Sequence, residues 1–324
     1  MVARARLCIM ARGVNEIRKD RPMLALALRL TGIVGFGMMA ALIKLASESG
    51  IHIAEIVFWR NFVSLPILLI WVFAAGGIGI LKTQRPGAHA MRSLYGIVGM
   101  FLNFGAVILL PLAEATTMGF TAPIFAVILS IVLLRESVGL WRWSAVIAGF
   151  AGIVIIAQPF GGGNIPLDGA AVALGAAFMI ALISIQIRDL GRTEKPLVTV
   201  FWFALASSVI ASPALLLVHT PHSWTQYLLL AGVGITGTWG QLLITMALKH
   251  GQVASVIVMD YSSLFWATLY GWLIWNVLPG PWTWVGAPLI VGAGLVITWR
   301  EHVLSQRQRA ETMQAAGTRS ASAG

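Results

Sequence analysis

Charged residues are scarce in this chain, and their scarcity excludes a large soluble protein. Only 10% of the 324 residues are Asp, Glu, Lys or Arg, whereas 58% are hydrophobic and the mean hydropathy is +0.85. Soluble domains carry about 25% charged residues. The composition therefore predicts an integral membrane protein with short loops that is embedded in the lipid bilayer.

Cysteine is almost absent, and several motifs for cofactor chemistry are missing too. Cys8 is the single cysteine, which excludes an intramolecular disulfide and a metal site built on thiolates. The histidines lie at predicted loops or helix ends, without metal-ligand spacing in one helix. The chain has no Gly-x-x-x-x-Gly-Lys-Ser/Thr loop, so ATP hydrolysis is not expected. We predict no metal and no cofactor.

Long hydrophobic runs fill almost the whole chain. A helix that crosses a membrane needs about 20 apolar residues, and by that rule the sequence predicts ten helices. They lie at roughly 23–43, 54–75, 91–110, 114–134, 142–158, 168–187, 197–218, 225–248, 252–275 and 282–299. Little chain remains for a domain outside the bilayer.

The predicted helices divide into two copies of five. The first copy occupies 23–158 and the second 168–299, with a Gly- and Pro-rich outer linker at 159–167. An odd number of crossings per copy forces the second copy to enter the bilayer upside down, as in many secondary transporters. The predicted fold is therefore all-α, with ten transmembrane helices arranged as two inverted five-helix repeats.

The positive charges, which produce a formal net charge of +10, are distributed unevenly. With the N-terminus inside, nearly all Lys and Arg residues outside the spans fall in inner segments, and only Lys44 falls in an outer one. This asymmetry predicts a protein of a bacterial-type inner (plasma) membrane with both termini on the cytoplasmic side. It also argues against a nucleic-acid partner. Residues 1–22 are predicted to be a basic cytoplasmic leader, and 300–324 a disordered cytoplasmic tail.

Three stretches of the first copy form a recognisable pattern: EIVFWRN at 55–61, PLAEATTMGFTAP at 111–123 and LLRE at 133–136. They resemble the EamA (RhaT-like) family of ten-helix permeases in the drug/metabolite transporter superfamily. The resemblance covers about 25–299 and implies a small-molecule permease or exporter. It also implies that spans one, three, four, six, eight and nine line a central cavity. The second copy departs from the pattern at the end of span nine, where Trp275 and Asn276 replace an Arg-Glu pair.

An acidic residue inside predicted span nine, Asp260, is the sharpest candidate for function. It lies about nine residues into the span, or about 12 Å from its cytoplasmic end. A charge at that depth costs at least about 2.5–3.5 kcal/mol, so it usually faces a cavity or a partner. One interpretation is a substrate-ammonium ligand or a proton carrier, with Tyr261 beside it. The other is an ion pair or hydrogen-bonded acid that locks two helices.

Four further residues predict a cavity for substrate: Asn103, Gln186, Trp239 and Gln241. They are polar or amphipathic residues inside hydrophobic spans three, six and eight. Each alone is more typical of a helix–helix hydrogen bond, worth about 0.6 kcal/mol. As a set spread over several spans, they favour a polar cavity.

An outer gate and a hinge are predicted from other residues. Lys44, Arg60 and Glu114 lie on the outer side, where acid and base together would form a gate of salt bridges. The alternatives are a solvated rim or a structural pair, and for Arg60 a side chain that reaches the membrane interface. Pro123, next to Gly119 and Thr121, is the candidate hinge, because proline removes a helical hydrogen bond.

Together these features predict a secondary active transporter that works by alternating access. Protons are one candidate for the coupling ion, and Asp260 is their most plausible site. The alternatives are a membrane enzyme acting on a lipid-linked substrate, which lacks a gathered acid, base or metal constellation here, and a passive channel. We therefore predict that the protein is not an enzyme. The substrate, the direction of transport and a homodimer are left open.

Overall fold

The computed structural model of the chain is helical almost throughout. It describes residues 22–134, 139–158, 165–218, 221–250 and 259–321. The helices of the first half are α1 (Pro22–Glu48), α2 (Ile53–Ala74), α3 (Pro86–Leu109), α4a (Leu112–Gly119), α4b (Ala122–Leu134) and α5 (Leu140–Ala157). Those of the second half are α6 (Leu167–Leu190), α7 (Pro196–Val218), α8 (Trp224–His250), α9 (Ser263–Trp275) and α10 (Pro281–Ala321). Short 3-10 helices occupy Ile78–Leu81 and Met259–Ser262.

Most of these helices match a bilayer in length and composition. Among the described residues, eight apolar helical segments are long enough to cross a membrane, with α4a and α4b counted as one segment. α5 is a shorter apolar helix, and α9 has 13 residues. The protein is therefore an all-helical integral membrane protein.

The main helix–helix contacts are the same when each helix is replaced by the helix at the same position in the other half, α1 by α6, α2 by α7 and so on. α1 packs on α8 and α3 packs on α6, while α2 pairs with α7 and α5 with α10. The weaker contacts α2–α8 and α3–α7, and the contacts of α1 with α9 and of α6 with α4a and α4b, follow the same exchange. The strongest contacts of each helix in the first half thus have counterparts in the second half.

Glycines bring the paired helices into backbone contact. A Cβ atom on Gly240 of α8 would lie 3.0 Å from the Gly32 carbonyl oxygen of α1. A Cβ atom on Gly286 of α10 would lie 2.6 Å from the Gly152 carbonyl oxygen of α5. Small residues at such crossings maximise van der Waals packing between membrane helices.

Span four is interrupted at its middle, between α4a and α4b. The amide groups of Phe120 and Thr121 donate to the carbonyl oxygens of Thr117 and Met118, each at 3.1 Å, in the tighter three-residue pattern. Pro123 is the second residue of α4b, where proline costs no helical hydrogen bond. The interruption therefore precedes the predicted hinge residue. The described part of span nine also begins with a turn, at Met259–Ser262, before α9.

The two ends of the bundle differ in charge. At the basic end, Arg85 pairs with Asp189 at 2.5 Å, joining the start of α3 to the end of α6. At the acidic end, which holds Glu48, Glu55 and Glu114, the largest buried apolar cluster joins α1 to α4a.

The C-terminal segment differs from its prediction. The sequence predicts a disordered tail at 300–324, whereas α10 continues as a helix through Ala321 in the structure. The tail lacks proline and contains many strong helix formers, such as Ala, Gln, Arg, Glu and Met, which favour this helix. The disorder of the tail stays a prediction. The leader up to residue 21, the linker residues 159–164 and Glu136 lie outside the described residues.

Candidate functional site

Asp260 forms a two-point ion pair with Arg29 of α1. Arg29 Nε lies 2.7 Å from Asp260 Oδ1, and Arg29 Nη2 lies 2.5 Å from Asp260 Oδ2. The planar guanidinium group matches a carboxylate in this geometry. The Arg29 side chain is 9% exposed and the Asp260 side chain 38% exposed. Asp260 is therefore the acid of an ion pair between two helices, and a role in proton transfer stays a prediction.

The pair lies well inside the bundle. Arg29 is seven residues from the start of α1, or about 10 Å along the helix from the basic end. The Asp260 carbonyl oxygen accepts a hydrogen bond of 2.6 Å from Ser263 Oγ, which joins the 3-10 turn to α9. The ion pair thus ties α1 to the turn that precedes α9.

Tyr261 brings the turn before α9 against the break in span four. Its ring lies 5.0 Å from the ring of Phe120, centroid to centroid, and Phe120 stands at the break in span four. Gly294 of α10 leaves the space that the Tyr261 hydroxyl occupies, since a Cβ atom there would overlap it. Discontinuous helices that meet inside a membrane bundle are a common feature of substrate and ion sites.

At the acidic end, α1 is tied to the other end of α9. Lys44 Nζ donates 2.7 Å to the Leu110 carbonyl oxygen and lies 5.8 Å from the centre of the Trp275 ring. The indole N–H of Trp275 donates to both carboxylate oxygens of Glu48, each at 2.8 Å. α1 therefore contacts the described part of span nine near both of its ends.

Glu114 lies beside this contact, between two pockets. Its Oε1 accepts from the Gly280 amide at 2.9 Å and from Thr283 Oγ1 at 3.1 Å, which orders the start of α10. Its Oε2 is buried without a hydrogen-bond partner. Lys44, Glu114 and Trp275 line a pocket of about 90 Å³, and a second pocket of about 230 Å³ adjoins Glu114 on the side of α10.

The predicted gate residues are brought together only in part. Lys44 and Glu114 share a pocket and interact electrostatically. Arg60 contacts neither. Its Nη1 donates 3.1 Å to Asn61 Oδ1, and its buried Nε would lie 3.4 Å from a Cβ atom on Gly237 of α8. Arg60 thus turns into the bundle instead of reaching the membrane interface.

The four predicted cavity residues are not gathered at one point. α3 and α6 run antiparallel, with Gly99 against Met179, so Asn103 and Gln186 differ by about 15 Å in height. Trp239 is 58% exposed, whereas Gln241 is half-buried. None of the four side chains hydrogen-bonds to another part of the described chain. Their role in a cavity remains a prediction.

The contacts also include residues that the sequence reasoning did not assign. Arg29 is a basic residue inside span one. Because a charge at that depth is usually paired, its position in the sequence could have indicated an ion pair. His222 and Glu55 form a buried pair at the acidic end, and Gln226 donates 2.8 Å to the Ser49 carbonyl oxygen. No sequence pattern pointed to either contact.

Comparison with known proteins adds the family. The model of the EamA-like transporter family matches twice, at 23–158 and 167–299, so the chain contains two EamA repeats. A solved crystal structure shares the fold, with a TM-score of 0.56 and 23% identity, covering 85% of this chain and 97% of the other.

Similar proteins of assigned function are transporters. The riboflavin transporter of Vibrio cholerae is 28% identical, over 90% of this chain and 98% of its own length. A pseudopaline exporter of Pseudomonas aeruginosa is 27% identical, covering 88% and 98%. An S-adenosylmethionine uptake transporter of Rickettsia bellii is 29% identical, covering 78% and 85%. These names describe transporters and not enzymes, and the chain belongs to the EamA-like transporter family.

Proposed function

We propose that this transporter is a secondary active carrier that moves a small metabolite or drug-like solute by alternating access. The observation that carries the proposal is the contact between the break in span four and the turn before α9, where the rings of Phe120 and Tyr261 meet at a tilt of 56° beside the Arg29–Asp260 pair. Discontinuous helices leave backbone groups and side chains open to a solute inside the bundle. A membrane scaffold would have no need of them.

The proposed architecture is ten transmembrane helices in two inverted repeats. The exchange of neighbours between the halves supports a two-fold relation, and five crossings per repeat make that relation an inversion. α5 and α9 then complete the ten, as shorter helices. One chain supplies both repeats, so the proposal needs no homodimer.

The proposed orientation places the basic end in the cytoplasm. Arg85, Arg192 and Lys195 lie in the short connections at that end and Arg188 in the last turn of α6, while Glu48 and Glu55 lie at the other end. Short cytoplasmic loops carry an excess of Lys and Arg. Both termini then lie on the cytoplasmic side of a bacterial-type inner membrane.

In the proposed movement, α1 alternately releases its two contacts with span nine, one at Asp260 and the other at Trp275. Release of Arg29 from Asp260 opens a path to the cytoplasm, and release of Trp275 from Glu48 and Lys44 opens the opposite side. Lys44 and Glu114 act in this outer gate, and the break before Pro123 supplies the corresponding flexible point of span four. Asp260, Tyr261, Asn103, Gln186, Trp239 and Gln241 are the proposed substrate-facing residues.

Proton coupling is proposed to act through the ion pair. A protonated Asp260 loses the charge that holds Arg29, so proton binding would favour the state that is open to the cytoplasm. The relatives are named for three different solutes and for both export and uptake. We therefore propose a small metabolite as the class of substrate and assign neither a single solute nor a direction.

The test is a thermal-shift screen followed by flux in proteoliposomes. Riboflavin, S-adenosylmethionine and a panel of other metabolites are screened, since a ligand of the folded protein raises its unfolding temperature. Saturable uptake that is accelerated by solute on the opposite side identifies a carrier. Flux without saturation would indicate a channel and refute the proposal.

The coupling is tested separately with Asp260→Asn and the control Asp189→Asn, which removes an exposed acid at the same end. Proton coupling predicts that flux responds to a pH gradient in the parent and in Asp189→Asn, but not in Asp260→Asn. Equal pH responses in all three proteins would remove Asp260 from the coupling.

A further inference from the structure

Two arginines with unpaired N–H groups approach each other inside the bundle. Arg60 and Arg92 lie on the contacting helices α2 and α3, and their charges interact. The Nε of Arg60 and the Nε and Nη1 of Arg92 are shielded from solvent and lack hydrogen-bond partners. The Arg92 guanidinium stacks over the Phe203 ring of α7, 4.3 Å from its centre.

No carboxylate neutralises this pair within the described chain. Of the seven acidic side chains that the structure describes, Asp168 lies in the first turn of α6. The other six form their contacts elsewhere: Asp260 with Arg29, Asp189 with Arg85, Glu55 with His222, Glu194 with Thr83, Glu48 with Trp275, and Glu114 with Gly280 and Thr283. Among the residues that the structure describes, the only side-chain acceptor bonded to either arginine is the neutral Asn61. Buried cations without an anion are costly, and like charges side by side add to that cost.

The surroundings supply further polar groups. Ser207 lies one helical turn beyond Phe203 on the same face of α7, and its buried hydroxyl has no hydrogen-bond partner. Ser64 and Thr238 hydrogen-bond to each other at 2.5 Å across α2 and α8, one turn from Arg60 on α2. The arginines thus stand in a polar region shared by α2, α3, α7 and α8, from both halves of the chain.

We propose that Arg60 and Arg92 form an oxyanion subsite, which binds a carboxylate or phosphate group of the transported solute. Guanidinium groups bind such groups through two parallel N–H···O bonds, and an anion between the two would satisfy the unpaired donors. Ser207 adds a hydroxyl to the same region. The inference rests on the proposed transport function and narrows its substrates to solutes with an acidic group.

The test measures binding without flux, so that it is independent of the transport assay. The purified protein in phosphatidylcholine nanodiscs is unfolded thermally with increasing inorganic sulfate or phosphate, at an ionic strength held constant with chloride. The expected result is a saturable rise in unfolding temperature. Arg60→Gln and Arg92→Gln should each raise the half-saturating concentration about tenfold or more, as expected for a lost charged hydrogen bond.

Two controls separate this site from general charge effects. Arg85→Gln removes an exposed, paired arginine at the basic end and should leave the half-saturating concentration unchanged. Arg92→Lys keeps the charge but loses the planar fork, and should bind between the parent and Arg92→Gln. Without the oxyanions, Arg92→Gln should be at least as stable as the parent, because it removes an uncompensated buried charge.

Several outcomes would overturn the subsite. One is the absence of saturable stabilisation of the parent by either oxyanion, and another is an unchanged half-saturating concentration in both Gln variants. Nanodiscs with phosphatidylglycerol distinguish the source of the anion: if that lipid alone stabilises the parent and abolishes the response to sulfate, the occupant is a lipid headgroup. Normal oxyanion binding without flux would refute the transport proposal and leave the subsite intact.

Discussion

Replacing Asp260 with Asn should release α1 from the turn before α9. The change keeps the shape of the side chain but removes the negative charge that pairs with buried Arg29. A hydrogen bond to a charged group contributes about 1.5–3 kcal/mol, whereas an exposed pair contributes at most about 1 kcal/mol. Because Arg29 is 9% exposed but Asp260 38%, the lower part of the first range, about 1.5–2 kcal/mol, applies. The closed state should then be about 10- to 30-fold less favoured.

Cysteine labelling can measure this shift in the membrane. The single native Cys8 is replaced by Ser, and Ser262, whose hydroxyl is buried two residues from Asp260, is replaced by Cys. Inside-out vesicles expose the basic end, if the proposed orientation holds, to a membrane-impermeant maleimide. In the Asp260→Asn background the labelling rate should rise about tenfold or more, because each 1.4 kcal/mol changes a population ratio tenfold.

The matched control is Asp189→Asn, which breaks the Arg85–Asp189 pair at the same end. Its side chains are 35% and 54% exposed, so the labelling rate should change by less than about fivefold. The charge exchange Arg29→Asp with Asp260→Arg should restore slow labelling. A rate in Asp260→Asn within twofold of the parent, or an equal rise in Asp189→Asn, would refute the closing role of the pair.

Two further predictions concern stability, and thermal unfolding of the purified protein checks both. Gly286→Ala should destabilise the protein by about 1–3 kcal/mol, because the new methyl group would lie 2.6 Å from the Gly152 carbonyl oxygen. The control Gly292→Ala, on the same helix, meets no neighbour within 4 Å and should be neutral or slightly stabilising. Similar losses in both would contradict the tight crossing. Glu114→Ala should cost about 1–3 kcal/mol because the Gly280 amide loses its acceptor, and Glu114→Gln, whose amide oxygen can still accept, should cost less. Equal losses would show that the charge, which both variants remove, matters at Glu114 and the hydrogen bond does not.

The helices were largely predictable from hydrophobicity, because crossing a bilayer demands long apolar runs. Span two was predicted at 54–75, and α2 covers Ile53–Ala74. The interruption of span four was less accessible, since its apolar run is continuous on both sides of Phe120. Only the neighbouring Gly119 and Pro123 hinted at it, and Pro123 begins the helix after the break.

The site was predictable as single residues but not as pairs. Asp260 stood out because a carboxylate inside an apolar span is costly. Its partner Arg29 lies 231 positions away in the sequence, and no local period connects residues at such a distance. Arg92 lies at the inner end of predicted span three, and only the packing of α3 against α7 shows that its guanidinium lies over Phe203.

In the proposed movement, the contact between Gly32 and Gly240 would determine how far each end of α1 travels. Arg29 lies three residues from Gly32, or about 5 Å along the helix, whereas Lys44 lies twelve residues away on the other side, or about 18 Å. If α1 tilts as a rigid rod about this backbone contact, Lys44 travels about four times as far as Arg29. α1 is then a lever with unequal arms. A shift of about 1 Å at the Arg29 ion pair would correspond to about 4 Å at Lys44, enough to part its hydrogen bond to Leu110.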